Sequence, residues 1–260
     1  THFAPEGSHY SLGRTPIGGS DFSVRGYTLA DAPGDVTLSN FSLASEDRDW
    51  KIPFMKEAIK LNPDLKIIAA PWSAPPWMKT VNSYESYQGV LKDDYYQIYA
   101  NYLIKFLEAY KNEGVPIWAM SAGNEPENVF KYPDFIIDMG WKPDTITKWI
   151  LNNLGPTLES SKSSETVLFV GEDQRSALPE WIEKMYETNN SIDQYIYGIS
   201  NHWYHDKKTS PTILDQTHQK FLTKVLMMTE ACIERANKAL PAVNLGNWDN
   251  AERYMHSIIE

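Results

Sequence analysis

Short apolar runs alternate with longer amphipathic segments along this chain. Two of the apolar runs, Ile67–Ala70 and Val225–Met228, are continuously hydrophobic, which is typical of parallel strands buried on both faces. The pattern as a whole predicts six strands. They are Tyr10 to Ile17, Leu65 to Ala70, Ile117 to Ala122, Thr166 to Val170, Tyr197 to Tyr204 and Lys224 to Thr229.

Helix-like segments separate these strands. In Asp93–Lys111 the apolar side chains recur every three or four residues, so they form one stripe along a helix. Asp47–Leu61 and Asp144–Leu158 show a less regular version of the pattern, and Pro179 and Asp249 lie near the starts of two further helices. Strand followed by helix, repeated along the chain, predicts an α/β fold with a parallel sheet.

Nearly every predicted strand ends in polar or aromatic residues. The ends are Ser20-Asp21, Trp72-Ser73, Asn124-Glu125, Glu172-Asp173, His202-Trp203-Tyr204 and Thr229-Glu230. A (β/α)8 TIM barrel gathers all strand C-termini around one mouth, whereas a doubly wound sheet uses only those at its switch point. We therefore favour the barrel. Because a closed barrel needs eight strands and the pattern shows six, either strands are hidden in loops or the chain is part of a longer protein.

Composition narrows the classes of function. The 260 residues, 42% of them hydrophobic, suffice for one sizeable core and one domain. A net charge of −10 disfavours nucleic acid as a partner. The single cysteine, Cys232, forms no internal disulfide, and we expect it to be a buried, inert thiol. Sequons at Asn40 and Asn189 mildly favour the secretory route, and we expect any signal peptide to lie outside this chain.

Glu125 and Glu230 are the strongest candidates for chemistry. Glycosidic bonds are cut by carboxyl pairs, in which one group protonates the departing oxygen and the other attacks the sugar or activates water. Pro126 predicts an extended Glu125 whose side chain points into the mouth; the alternative is a glutamate in a surface loop. Ionised Glu230 is expected to raise the pKa of Glu125 and so keep it protonated.

Glu230 follows a fully apolar run, where a carboxylate is costly unless it is paired or functional. The alternative to catalysis is a salt bridge with Arg175, Arg235 or Lys224. A gap of about 5 Å between the two catalytic carboxyls would give retention, and about 6.5–9.5 Å would give inversion. The sequence leaves this choice open.

Other strand ends carry groups suited to sugars. Trp72 begins a proline-stiffened loop and could stack on a sugar face or pack in the core. Asp21 could accept hydrogen bonds from a diol or cap a turn. Asn124 could donate to a sugar hydroxyl, and Tyr204 is expected to bind a catalytic carboxylate. His202 and His205 have a metal-like spacing but no further ligand in pattern.

Signatures of nucleotide-binding proteins, zinc proteases and serine hydrolases do not occur in the sequence. We therefore predict a site without a metal or a cofactor.

Ordered motifs along nearly the whole chain resemble the glucosylceramidases of glycoside hydrolase family 30. The motifs are Ser20-Asp21-Phe22-Ser23, Tyr27-Thr28, Ala30-Asp31, Asn40-Phe41-Ser42-Leu43, Pro71-Trp72-Ser73-Ala74-Pro75, Asn124-Glu125-Pro126, Leu154-Gly155-Pro156-Thr157-Leu158, Asp173-Gln174-Arg175, His202-Trp203-Tyr204, Glu230-Ala231-Cys232 and His256-Ser257-Ile258-Ile259.

The resemblance implies a (β/α)8 barrel and a retaining mechanism, with Glu125 as acid/base and Glu230 as nucleophile. It implies glucose-binding positions at Asp21, Trp72 and Asn124. It also places Arg14, His202 and Tyr204 around the carboxylates.

The family's substrate would be glucosylceramide, cleaved to glucose and ceramide in the lysosome. A saposin-type activator and an anionic membrane surface would be the partners, and the Asn40 sequon coincides with one in the family. Two alternatives stay open. One is another family 30 activity, such as a xylosidase or a glucanase; the other is a catalytically inactive fragment that binds carbohydrate or lipid.

The chain departs from the family pattern in two ways. Gly123 stands before Asn124, where the compared family member carries a glutamate. The six visible strands match family strands two to seven, whereas the first strand, the eighth strand and the family's β-sandwich domain have no counterpart. We therefore expect residues 1–260 to form a partial TIM-barrel catalytic domain.

Overall fold

The computed structural model describes residues 2–132, 137–233 and 246–259. Six strands form one sheet: β1 (Leu12–Ile17), β2 (Lys66–Pro71), β3 (Ala119–Ser121), β4 (Val167–Gln174), β5 (Ile196–His202) and β6 (Val225–Glu230). Their order in the sheet is their order in the chain, and every neighbouring pair is parallel. The six predicted strands are confirmed, and the half-barrel they form is an incomplete (β/α)8 barrel.

Strand ends differ from the prediction where local structure overrides the apolar pattern. β3 is only three residues long, and β4 extends past Val170 to Gln174. β5 ends at His202 instead of Tyr204. The extension of β4 contains shifts in register between Gly171 and Asp173, and an irregularity of this kind leaves no mark in an alternation of apolar and polar residues.

Eight helices lie in the described ranges: α1 (Ile52–Leu61), α2 (Tyr96–Asn112), α3 (Asn128–Lys131), α4 (Pro143–Trp149), α5 (Gly155–Glu159), α6 (Glu180–Thr188), α7 (Thr212–Lys220) and α8 (Trp248–Ile259). The predicted helix at Asp144–Leu158 is interrupted by a π-helical segment, Ile150–Leu154, between α4 and α5. A second π-helical segment, Asp47–Lys51, leads into α1. The sequence pattern did not single out α7. None of the described helices is both long and apolar enough to cross a bilayer.

The core lies between the sheet and the helices. The apolar stripe predicted on α2 is buried, including Tyr99, Tyr102, Leu103 and Phe106. Trp149 of α4 stacks on Tyr99 with a ring separation of 5.4 Å. Because each helix covers the parallel strands from one side, the strand C-termini and the loops that follow them are left to form the mouth of the half-barrel.

Leu103→Ala should lower the free energy of unfolding by about 2–5 kcal/mol, because it leaves a cavity in the core where the Leu103 side chain is fully buried. Leu222→Ala is the control: this leucine is 70% exposed, and its loss should change stability by less than about 0.5 kcal/mol. Urea denaturation measures both. Equal losses in the two variants would contradict this description of the core.

Candidate active site

Six strand ends bring their polar side chains to one mouth. Oxygens of Glu125 and Glu230 and a ring nitrogen of His202 all lie within 4.8 Å of one another. Glu125 follows β3, His202 ends β5 and Glu230 ends β6. The structure therefore joins the two glutamates singled out from the sequence across one shared site.

Glu125 is buried and held by three neighbours. Gln174 donates from Nε2 to Oε1 of Glu125 at 2.7 Å, and Nδ1 of His202 lies 2.8 Å from the same oxygen. Asn128 donates to the other carboxylate oxygen. These contacts fix both oxygens of the glutamate. Neither Gln174 nor Asn128 was identified as a site residue from the sequence.

The backbone of Glu125 is not extended, so that prediction is wrong. Its φ is +42°, a left-handed conformation that non-glycine residues rarely adopt. The reason is the sharp turn from β3 into α3. The amide of Glu125 donates to the carbonyl of Glu172 on β4 at 2.9 Å, and the carbonyl of Glu125 accepts from the amide of Asn128 at 3.0 Å.

Glu230 forms a salt bridge, but with a residue that belongs to the site. Nη1 of Arg14 donates to Oε2 of Glu230 at 2.7 Å, and the Tyr204 hydroxyl donates to Oε1 at 3.0 Å. Burial raises the pKa of Tyr204, so its hydroxyl stays a donor.

The cations considered as alternative partners of Glu230 are engaged elsewhere or not described. Arg175 binds Asp206 at 3.0 Å and Lys224 binds Asp193 at 2.8 Å. Arg235 lies outside the described residues.

Glu172 is a third carboxylate, which the sequence noted only as a strand end. It is completely buried and accepts from Arg14 through Nη2 at 2.6 Å and Nε at 3.1 Å. The Ser200 hydroxyl also donates to it. Burial alone would raise the pKa of Glu172, but the charge of Arg14, together with hydrogen bonds from His202 and Ser200, outweighs it and holds the pKa well below the usual range.

The irregularity in β4 aims Glu172 into this network. Gly171 has φ +95° and Glu172 has φ +51°. A Cβ at position 171 would lie 2.6 Å from the carbonyl oxygen of Ser200, so only glycine fits there. Gly171 is the one local signal of the irregularity in the sequence.

His202 is the second buried cation of the site. Burial lowers the pKa of its imidazole, but hydrogen bonds to Glu125 and Glu172 and the charges of Glu172 and Glu230 raise it to about 9. The ring therefore carries a proton at neutral and acidic pH. Nε2 of His202 lies 3.5 Å from Glu172 and 3.9 Å from Glu230.

The protonated ring of His202 lowers the pKa of Glu125. Burial pushes the pKa of Glu125 upward, but the hydrogen bond and charge of His202, with hydrogen bonds from Asn128 and Gln174, bring it below the ordinary value. The prediction that Glu230 holds this pKa high is therefore wrong for this arrangement, because a cation lies closer to Glu125 than the sequence suggested.

Asn124 and Trp72 both contact Arg14. The carboxamide oxygen of Asn124 accepts from Nη2 at 2.7 Å, which leaves its NH2 group to donate to a sugar hydroxyl. The guanidinium lies 4.7 Å from the centre of the Trp72 ring. Trp72 is only 6% exposed, so it lies in the wall of the site and offers little open surface for stacking.

Asp21 lies in an exposed turn after β1. Loss of solvent around its carboxylate raises its pKa, as do the charges of Glu230 and Glu125. Asp21 therefore shares the electrostatic environment of the two glutamates. Cys232, expected to be buried, is half-buried, and its Sγ lies 3.2 Å from the Tyr204 hydroxyl.

Gly123 borders an unsatisfied donor. A Cβ at this position would lie 3.3 Å from Cδ1 and 3.5 Å from Nε1 of Trp141. Within the described part of the chain, that buried Nε1 has no hydrogen-bond acceptor. The glycine at position 123 therefore presents no side chain to Trp141, and Gln174, Asn128 and His202 still contact Glu125.

Among the residues described, Glu125, His202 and Glu230 lie close enough together to share a metal ion. The charges disfavour this, because a protonated imidazole is not a ligand and Arg14 already neutralises Glu230. His205 is not part of the group, since its Nδ1 lies 2.9 Å from the Ser176 hydroxyl. That the site uses no metal or cofactor stays a prediction.

Comparisons with known proteins agree with this geometry. The family described as the glycosyl hydrolase family 30 TIM-barrel domain matches residues 1–260. Lysosomal acid glucosylceramidase of Mus musculus is 38% identical over 265 residues, covering 100% of this chain and 51% of that protein. The chain thus spans about half the length of the curated relatives it matches.

Two solved structures show the same fold. SrfJ from Salmonella typhimurium has a TM-score of 0.87 at 26% identity, over 99% of this chain and 55% of SrfJ. The endo-β1,6-glucanase BT3312 has a TM-score of 0.80 at 30% identity, over 91% of this chain and 52% of the glucanase chain.

His202→Gln should raise the pKa of Glu125, because glutamine keeps a donor but removes the positive charge that now opposes burial. The pKa can be followed by 13C NMR titration of protein labelled at glutamate. His205→Gln, which alters a histidine outside the group, should leave the pKa of Glu125 unchanged. An unchanged or lower pKa in His202→Gln would show that His202 does not control this carboxyl.

Proposed function

The chain belongs to glycosyl hydrolase family 30, and we propose that it carries the catalytic centre of a retaining β-glucosidase that hydrolyses glucosylceramide to glucose and ceramide. The observation that supports retention is the separation of the two carboxylates. One carboxylate oxygen of Glu125 lies within 4.8 Å of one carboxylate oxygen of Glu230, which supports a short separation of the two groups. Retaining glycosidases hold their carboxyls about 5–5.5 Å apart, whereas inverting enzymes leave about 6.5–9.5 Å for a water molecule.

Glu230 suits the role of nucleophile. Arg14 and Tyr204 donate to its two oxygens, so both oxygens of the carboxylate are held in one orientation at the mouth. In the first step Glu230 attacks that carbon while Glu125 transfers a proton to the departing oxygen of ceramide. The products of this step are a glycosyl ester on Glu230 and a neutral alcohol.

Glu125 suits the role of acid and then base. In the second step it takes a proton from water as the oxygen of that water attacks the glycosyl ester, which releases glucose and restores both carboxyls. Because the pKa of Glu125 lies below its ordinary value, the acid form that this role requires becomes populated only at a pH well below neutral. An acidic compartment such as the lysosome fits this requirement.

Residues around the pair would bind the sugar. Asp21 would accept from a diol at the mouth, and the amide of Asn124 would donate to a hydroxyl beside the reacting carbon. Arg14, His202 and Tyr204 would orient the two carboxylates, with Trp72 supporting the guanidinium.

The choice of substrate rests on the relatives. The mouse protein named lysosomal acid glucosylceramidase aligns with the whole of this chain, which supports a glycosphingolipid. By the same reasoning, we include in the proposal a saposin-type activator, an anionic membrane surface and a lysosomal location. Residues 1–260 would then form the catalytic part of a barrel.

The second candidate is a β-1,6-glucanase, favoured by the 30% identity to a solved enzyme with that activity. Comparing release of glucose from glucosylceramide in detergent with cleavage of a β-1,6-glucan distinguishes the two. Turnover of the glucan alone would favour the second candidate. A protein that binds glucoside but hydrolyses neither substrate would match the inactive fragment considered from the sequence.

A glucose-configured cyclitol epoxide should form a covalent adduct on Glu230, because the nucleophile opens the epoxide from the face that it uses on the sugar. Peptide mapping by mass spectrometry locates the adduct. Glu230→Gln should abolish it, while Glu165→Gln should retain it, because Glu165 is exposed and lies before β4, at the end of that strand opposite to the mouth. An adduct on another residue, or none on folded protein, would contradict the role of Glu230.

Glu125→Ala should reduce turnover of a substrate with a poor leaving group by about 10²–10⁴-fold, the usual contribution of general acid–base catalysis. Azide should restore turnover of a substrate with an activated leaving group, since azide needs no general base. Glu127→Ala, in the same loop but paired with Lys131, should behave like the parent protein. Full activity of Glu125→Ala would remove this residue from the mechanism.

A further inference from the structure

Lys79 is a completely buried cation that the mechanism does not use. Its Nζ donates to the carbonyl oxygens of Tyr84 at 3.1 Å and Asp138 at 2.9 Å, and to the Ser86 hydroxyl at 3.1 Å. An ammonium group has three donors, so each one has a partner. Burial lowers the pKa of Lys79 to about 8, although the charge of Asp138 opposes the shift. The group is therefore a cation at neutral and acidic pH.

The partners of Lys79 lie in two neighbouring loops of the mouth. Residues 79–91, here called the rim loop, follow the loop that carries Trp72. The base of the rim loop is closed by the amide of Thr80, which donates to the carbonyl of Val90 at 2.9 Å. Asp138 lies in the segment before α4. Lys79 thus joins the base of the rim loop to its middle and to this second segment.

Further hydrogen bonds make the junction specific. The carboxylate of Asp138 accepts from the amide of Ser86 at 3.2 Å, and the amide of Asp138 donates to the carbonyl of Tyr84 at 3.2 Å. The amide of Gly140 donates to the carbonyl of Gly89 at 2.8 Å. Removing the ammonium would take a donor away from buried acceptors of both loops, which is more costly than losing an exposed hydrogen bond.

The rim loop also contacts a third loop, the one after β1. A Cβ at Gly26 would lie 2.6 Å from Cδ2 of Tyr84, so the Tyr84 ring fits only because residue 26 is a glycine. The position of Tyr84 is therefore set from two sides: by its carbonyl on Lys79 and by its ring on Gly26.

This junction reaches the site through one wall. Tyr84 and Ile137 pack against Trp72 in a small apolar cluster. Trp72 lies under the Arg14 guanidinium, and Arg14 donates to Glu230. A shift of Tyr84 or Ile137 would therefore be transmitted to Trp72 and from there to Arg14.

We propose that Lys79 is a positioning residue of the glycosidase site: its ammonium fixes the backbone at Tyr84 and Asp138, and thereby holds the wall that orients Trp72 and Arg14 for sugar binding. The assignment of a sugar to this site rests on the proposed function, whereas the junction itself does not. None of the hydrogen bonds described joins Lys79 to Glu125 or to Glu230.

Lys79→Met tests the proposal, with Lys92→Met as its matched control. Lys92 is an exposed lysine just beyond the rim loop, and it donates to the carbonyl of Trp77 at 3.2 Å. Hydrogen exchange followed by mass spectrometry reports on residues 84–91 and 137–140. Calorimetry with a glucose-configured competitive inhibitor reports on sugar binding and needs no turnover.

Lys79→Met should lose exchange protection in both segments and bind the inhibitor about tenfold more weakly, less than the roughly 100-fold that a 1 Å misplacement can cost. The kcat on a β-glucoside should fall by less than the inhibitor affinity, because Glu125 keeps its contacts with Gln174, Asn128 and His202 and only the Arg14 contact to Glu230 is disturbed. Lys92→Met should match the parent protein. If Lys79→Met does not fold, Ser86→Ala, which removes one acceptor, should show the same changes in smaller measure.

Unchanged protection in Lys79→Met would overturn the junction. Lost protection with unchanged inhibitor affinity would overturn the positioning role. A parent protein that binds the inhibitor but hydrolyses no glucoside would instead refute the proposed function, and the exchange and binding results would still decide the role of Lys79.

Discussion

The site depends on the balance between buried acids and buried cations. Glu125, Glu172 and Glu230 end or follow different strands, and mutual repulsion would drive them apart or raise their pKa values. Arg14 prevents this by donating to both Glu172 and Glu230, and His202 lies among all three carboxylates. Removing one partner of such a group leaves a buried charge uncompensated, which costs more than the loss of a single contact.

The sheet explains why this group can form at all. Parallel strands in chain order place six C-termini around one mouth, and each strand contributes a short polar end after an apolar run. The irregularity of β4 turns Glu172 inward, and the left-handed turn at Glu125 ties the loop after β3 to β4. The outer loops then hold the wall behind Trp72, with Lys79 as their junction. Local backbone strain is thus located where side chains must be aimed, as at many functional sites.

Much of the architecture could be predicted from the sequence, because strands buried on both faces leave continuous apolar runs and α2 leaves a regular stripe. That Glu125 and Glu230 share one site could also be predicted, since each lies just after an apolar run and parallel strands end at the same edge of the sheet. Other features left no pattern. Arg14 lies inside a strand, so only the resemblance to a family indicated it. Glu172 depends on an irregularity that alternation does not encode, and Lys79 is indistinguishable from a surface lysine until the loops are folded.

We propose that Glu125 and Glu230 are spaced for a double displacement. The most direct test is 1H NMR of the first sugar released from an aryl β-glucoside, recorded before the anomers equilibrate. The spacing of Glu125 and Glu230 predicts that β-glucose appears first and α-glucose only later, by mutarotation. If α-glucose is the first product, a water molecule attacks directly, and the account of this site is wrong.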